Sequence, residues 1–163
     1  MPIIGTLDEV AAIARQEVDR GRIHSYEGLS VYVNPYLARV LLNRDAIIGE
    51  VVSNVLLPRH DALSPSQEDR LESLGWSQPD VMYQPFFHRM WSTEVASESI
   101  VRDLLTAFIC VAELEEGEQV SLSMRPWCGA PGSGYQCDGW GEYGGDPPPG
   151  FGEWDPPAEW PSG

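Results

Sequence analysis

Up to about residue 118 the apolar residues recur with two alternating periods, and each change of period predicts a new element. Val10, Ile13, Ala14 and Val18 fall on one face of a helix, with Arg15, Glu17, Asp19 and Arg20 mostly outside. Thr6-Leu7-Asp8-Glu9 opens that helix as a capping box: the threonine hydroxyl caps an orphan N–H and the glutamate three residues on reaches back. Gly21 is expected to end it. The period then drops to two. Leu29, Val31 and Val33 alternate with Ser30, Tyr32 and Asn34 until Asn34-Pro35 breaks the run. Ala38 to Asn43 reads as a second strand, turned by Asn43-Arg44-Asp45. Ile47 to Leu57 reads as a third, and its apolar residues on both sides predict burial of both faces for part of its length.

Ser64-Pro65-Ser66-Gln67 is the sharpest local signal. Serine is a good N-cap, proline is preferred at the first helical position, and glutamine completes a capping box. That helix stops at Gly75, which can take the left-handed conformation, and Trp76 follows where it can pack back on Leu71. Val81 to Met90 reads as one or two short strands broken near Pro85. A last helix is expected from Ser92 or Thr93, with Val101, Leu104, Leu105, Phe108 and Ile109 as its apolar stripe. Glu113, Glu115, Glu116 and Glu118 give it a poor C-terminus for the macrodipole, so fraying is expected there. The predicted order is α-β-β-β-α-β(-β)-α. Segregated elements of this kind imply an α+β fold, a mostly antiparallel sheet with flanking helices.

From about Gln119 glycine, proline and tryptophan dominate, and Pro147-Pro148-Pro149 and Pro156-Pro157 preclude regular helix or central strand. Two regions are therefore expected: a domain over 1–118, and an acidic, disordered tail over 119–163. Four of the six tryptophans lie in that tail, where no core is expected to hold them. They dock either on their own domain or on a partner, for which tryptophan is a preferred anchor. Glu153-Trp154 and Glu159-Trp160 look like two copies of one short recognition element.

Charge narrows the partners. Twenty-five carboxylates face ten arginines and no lysine, for a net charge of −15. Such a field repels nucleic-acid backbones and anionic membranes. No apolar run reaches the roughly 18–20 residues of a membrane span, and the N-terminus lacks signal-peptide character. The default compartment is the cytoplasm. There Cys128 and Cys137 should stay reduced, and Cys110 reads as a small buried hydrophobe.

Val51-Val52-Ser53-Asn54, Leu63-Ser64-Pro65-Ser66-Gln67 and Leu71-Glu72-Ser73-Leu74-Gly75-Trp76-Ser77-Gln78-Pro79 resemble the actinobacterial domains described as type III secretion chaperone-like, the TY-Chap group, akin to YbjN-type proteins. Phe86-Phe87-His88-Arg89-Met90-Trp91 and the helix after it are similar to the same pattern. The resemblance covers roughly residues 5–115. It implies a curved sheet with flanking helices, a homodimer, and a non-catalytic protein that holds an extended client segment against apolar surface.

The search for chemistry leads the same way. His24, His60 and His88 each lack a second ligand at i+3 or i+4, Ser25, Ser66, Ser97 and Ser133 lack a nucleophile elbow, and Gly129 to Gly134 adjoins no strand–helix junction. No catalytic residue, metal or cofactor is expected. Trp76 either locks the end of the second helix to the core or lines a groove. The expected partner-binding residues are Trp76, Tyr83, Phe86, Trp140, Trp154 and Trp160. The function that follows is a chaperone or adaptor holding a client segment, with a link to secretion implied by the resemblance. The alternative is a regulatory or immunity-type protein that blocks one folded cognate partner.

Overall fold

The computed structural model describes residues 3–24, 27–42, 46–80 and 84–126, without the side chains of residues 23, 24, 27, 125 and 126. The described elements are β1 (Ile3–Thr6), α1 (Leu7–His24), β2 (Glu27–Val33), β3 (Tyr36–Leu42), β4 (Ile47–Val51), a short 3-10 turn (Arg59–Asp61), α2 (Pro65–Ser73), β5 (Phe87–Trp91), α3 (Ser97–Ala112) and β6 (Gln119–Pro126). All strands pair antiparallel in one six-stranded sheet of order β1-β6-β2-β3-β4-β5. The fold is the expected α+β one. Helices α1 and α3 pack on each other and on the central strands.

Three expected helix signals form as bonds. Thr6 N–H donates to Glu9 Oε2 at 2.8 Å, and Glu9 N–H donates to Thr6 Oγ1 at 3.4 Å. Ser64 N–H donates to Gln67 Oε1 at 2.8 Å, and Gln67 N–H donates to Ser64 Oγ at 3.2 Å. The same Gln67 amide donates to Cys110 O at 3.0 Å, so one side chain caps α2 and ties it to α3. At the far end Gly75 sits at φ +96°. There Gly75 N–H donates to Glu72 O and Trp76 N–H to Leu71 O, each at 3.0 Å. Both bonds of a Schellman stop are therefore made.

The boundaries move where tertiary contacts outweigh local signals. Helix α1 runs past Gly21 to His24, because Arg22 donates to Val95 O at 2.6 Å and to Ser97 Oγ at 3.0 Å and is held against the turn before α3. That same turn, closed by Val95 N–H on Ser92 O, delays α3 from Ser92 or Thr93 to Ser97. Strand β4 ends at Val51 rather than Leu57. The chain folds back at Ser53, whose carbonyl accepts from Leu56 and Leu57 N–H and whose hydroxyl donates to Pro85 O. Both faces of β4 are buried as expected, but within one chain, so this burial does not call for a second copy.

The largest correction is at residue 119. The composition change there does not end the domain. Gln119–Pro126 is β6, which lies inside the sheet between β1 and β2, with Val120 and Leu122 only 2 % and 1 % exposed. Its alternation, Val120, Leu122 and Met124 against Ser121 and Ser123, is that of a half-buried strand. The remaining tail expectations, for residues 127–163, lie outside the described residues. A chain ending at residue 118 is expected not to fold, since it leaves β1 with no strand partner and β2 with β3 alone. One ending at 126 should unfold cooperatively in urea. Equal midpoints for the two would show that β6 adds nothing.

The C-terminal end of α3 sits in a negative field. Glu113 caps the helix in the left-handed conformation, and no basic residue lies in the last turn. Burial, with Asp61 and Glu113 nearby, pushes the Tyr36 hydroxyl above its ordinary pKa. Burial also raises the Cys110 thiol, against a lowering by Arg70, and Glu113 adds to the rise. A raised pKa favours the neutral form in the fold. That stabilisation is complete below the unfolded values, about 8.5 for Cys and 10 for Tyr, and is lost as pH rises through the folded ones. With no lysine to titrate in that range, the melting temperature should fall above about pH 9, and Tyr36→Phe should flatten the fall.

Candidate functional site

Strand alternation gives the sheet two unlike faces. Leu29, Val31, Val40, Leu42, Val51 and Phe87 lie on the helix side and are almost wholly buried. No described helix covers the opposite face, and the register places three rows across it. One runs Ser121, Tyr32, Leu37, Val52, the last step fixed by Val52 N–H donating to Leu37 O at 2.9 Å. The second runs Ser123, Ser30, Arg39, Glu50, His88. The third runs Arg125, Gly28, Leu41, Ile48, Met90, apolar from β2 to β5. Along this third row Leu41 and Ile48 are half-buried, and Met90 is 66 % exposed. It is an apolar stripe across four strands.

The middle row holds a buried ion pair. Arg39 Nε donates to Glu50 Oε1 at 2.8 Å, and the two residues are 5 % and 2 % exposed. The Phe86 ring lies 4.9 Å from the guanidinium carbon. Phe86 therefore sits on the open face, while its neighbour Phe87 points into the helix-side core. Composition and motif searching missed the pair. Its signal was present: one cation in Tyr36–Leu42 and one anion in Ile47–Val51, each alone in an apolar strand on either side of a turn.

Trp76 lies on the other side of the same margin. It is 2 % exposed and meets Trp91 edge to face, ring centres 5.8 Å apart. Gly49 makes this packing possible: a Cβ there would come within 2.6 Å of the Trp91 ring and 2.8 Å of the Trp76 ring. The Arg89 guanidinium stacks on both indoles, at 4.9 Å from Trp91 and 5.7 Å from Trp76, and donates to Leu74 O at 3.1 Å. Trp76 Nε1 and Arg89 Nε are buried without a hydrogen-bond partner.

The structure thus separates the expected partner-binding residues. Trp76 and Phe86 fall on opposite faces, each 2 % exposed, and neither ring reaches a partner without local rearrangement. Tyr83, Trp140, Trp154 and Trp160 lie outside the described residues. Among the described residues the exposed large apolar side chains are instead Ile3, Ile4, Met90 and Ile109, at 42 %, 64 %, 66 % and 43 %. Ile3 and Ile4 belong to the edge strand β1.

Architecture and faces define a small α+β domain with helices on one side of an antiparallel sheet and an open, partly apolar face on the other. The family model described as T3SS (YopN, CesT) and YbjN peptide-binding chaperone 3, TY-Chap3, matches residues 9–124, and the chain belongs to that family. The match runs from α1 into β6, which agrees with a domain that continues past residue 118. No curated protein and no solved structure matches the chain. The family is one of peptide-binding chaperones, generally non-catalytic, that take peptide or protein clients. No helix among the described residues is long and apolar enough to cross a membrane.

The ion pair generates a stability prediction. Removing one partner of a buried pair strands the other charge, which costs about 3–5 kcal/mol. Arg39→Met alone should lose that much in urea denaturation. Arg39→Met with Glu50→Leu should recover most of it, because the stranded carboxylate is gone. A single-variant cost below about 0.5 kcal/mol, the scale of an ordinary surface change, would contradict the burial.

Proposed function

We propose that this chain is a non-catalytic peptide-binding chaperone or adaptor that holds an extended segment of a client protein, in a cytoplasmic step linked to secretion. The family match over residues 9–124 carries the reading. The geometry supports it with a place for the client: the Gly28–Leu41–Ile48–Met90 stripe, which ends at the exposed Met90. Methionine adapts its shape to varied partners, and an extended segment lays alternate side chains on such a stripe. Trp140, Trp154 and Trp160 act as further anchors from the tail. Trp76, Tyr83 and Phe86 are kept as further aromatic anchors, Trp76 and Phe86 reaching a client only after local rearrangement because each is 2 % exposed. The exposed isoleucines of β1 support a homodimer through that edge.

Capture from the native cell, followed by mapping of the bound segment, supplies the probe. That segment, as an unfolded synthetic peptide, should bind the purified chain, and Met90→Glu should weaken it. Trp154→Ala with Trp160→Ala should weaken it about thirtyfold or more, which is about 2 kcal/mol or more for the pair. Binding only to the folded parent protein would favour an inhibitor of one cognate partner. Binding unaffected by Met90→Glu would remove the client from the open face.

A further inference from the structure

Away from the open face, where the start of α1 meets the end of α3, lies a groove of ≈ 210 Å³ lined by Thr6, Leu7, Asp8, Ile109, Leu114 and the loop 115–118. Its floor is apolar. Leu7 and Leu114 pack on the core, while Ile109 stays 43 % exposed although seven apolar residues of its helix are buried. Its rim is anionic, with Asp8, Glu115, Glu116 and Glu118 and no basic residue among the lining.

We infer that this groove docks a basic–apolar segment of a partner protein, one bulky aliphatic side chain flanked by arginine or lysine. This rests on the peptide-binding reading above and names the chemistry of a second contact point on the client. Size decides against a small molecule, since ligand pockets typically hold about 300–1,000 Å³, and this groove is smaller. It suits a side-chain anchor. Charge decides the flanks. The last turn of α3 holds no basic residue, and its carbonyl end is followed by Glu113, Glu115, Glu116 and Glu118. A helix C-terminus favours cations, and the residues that follow α3 supply only anions; the nearby cation is Arg70 on α2, which acts on Cys110.

The chain's own tail is a poor occupant. Residues 127–163 contain Asp138, Glu142, Asp146, Glu153, Asp155 and Glu159 and no cation. A second copy could pair through β1, but with 25 carboxylates against ten arginines it offers the anionic rim a poor match. A separate, basic partner remains.

The test uses the full chain and a labelled twelve-residue peptide with one central leucine between two arginine pairs, followed by fluorescence anisotropy. Glu115→Gln, Glu116→Gln and Glu118→Gln together should weaken binding about tenfold, and Ile109→Ser should weaken it independently. Glutamine at 118 keeps the acceptor that Glu118 offers to Glu115 N–H, and circular dichroism checks the fold. The control neutralises three carboxylates on α2, Glu68→Gln, Asp69→Asn and Glu72→Gln, and should leave affinity nearly unchanged. Replacing the peptide's leucine by glycine should cost affinity at constant charge. Equal loss from the control triple, or no loss from Ile109→Ser, would reduce the attraction to diffuse charge and overturn the proposal. Loss of the captured client on Met90→Glu but not on the groove variants would also overturn it, while leaving the open-face reading intact.

Discussion

The insertion of β6 between β1 and β2 is the constraint on which the rest of the domain depends. Its register joins Ile3–Thr6 to Gln119–Leu122 on one side and Glu27–Tyr32 to Ser121–Pro126 on the other. Two segments more than a hundred residues apart in sequence are thereby neighbours. Strand β1 has no other strand partner in the sheet, and α1 begins at the residue after it. The position of α1, and through Arg22 the turn that starts α3, therefore rests on a pairing the last strand completes. Such non-local closure costs loop entropy before any contact offsets it.

What was legible in the sequence follows from the range of each interaction. Capping boxes and a Schellman stop act over three to six residues, so Thr6–Glu9, Ser64–Gln67 and Gly75 could be read directly and formed as read. The amphipathic faces of α1 and α3 and the alternation of β2 are similarly local. Strands β1 and β6 were not legible as strands for the same reason. The first is four residues long and contains a glycine, and the second is rich in serine beside a change of composition. Each is a strand because of its neighbours. Val52 to Leu57 has strand composition yet turns away at Ser53, where a hydroxyl and a carbonyl together bond four partners. The client stripe was hidden because Leu41, Ile48 and Met90 come from three strands and meet only through register.

The two sheet faces divide the work by polarity. The helix side is apolar and closed by two helices. The other side is open only in part: Leu37, Arg39, Glu50, Val52 and Phe86 are at most 5 % exposed, and its middle row is the polar one, with Ser30, Arg39, Glu50 and His88. The ion pair neutralises its own charges within 2.8 Å, so the face offers a neighbour shape and apolar contact rather than a strong field. A buried pair of this kind is weak as a source of stability. What it does here is hold β3 and β4 in one register with a polar spot between apolar rows.

The anionic surface completes that division. Net charge of −15 repels like-charged chains over about 8 Å at physiological salt, so it acts at encounter rather than in the final contact. A basic client would be drawn to the domain without its exact pose being set, and the local features would then place it: the neutral stripe for its apolar side chains, the rimmed groove at the end of α3 for a flanked aliphatic residue. The two lie on different parts of the domain, the stripe on the sheet's open face and the groove where β1 passes into α1. A segment reaching both has to be extended, because a compact domain would present one patch at a time. On the proposed reading, a client held at both places would be unfolded where it is held.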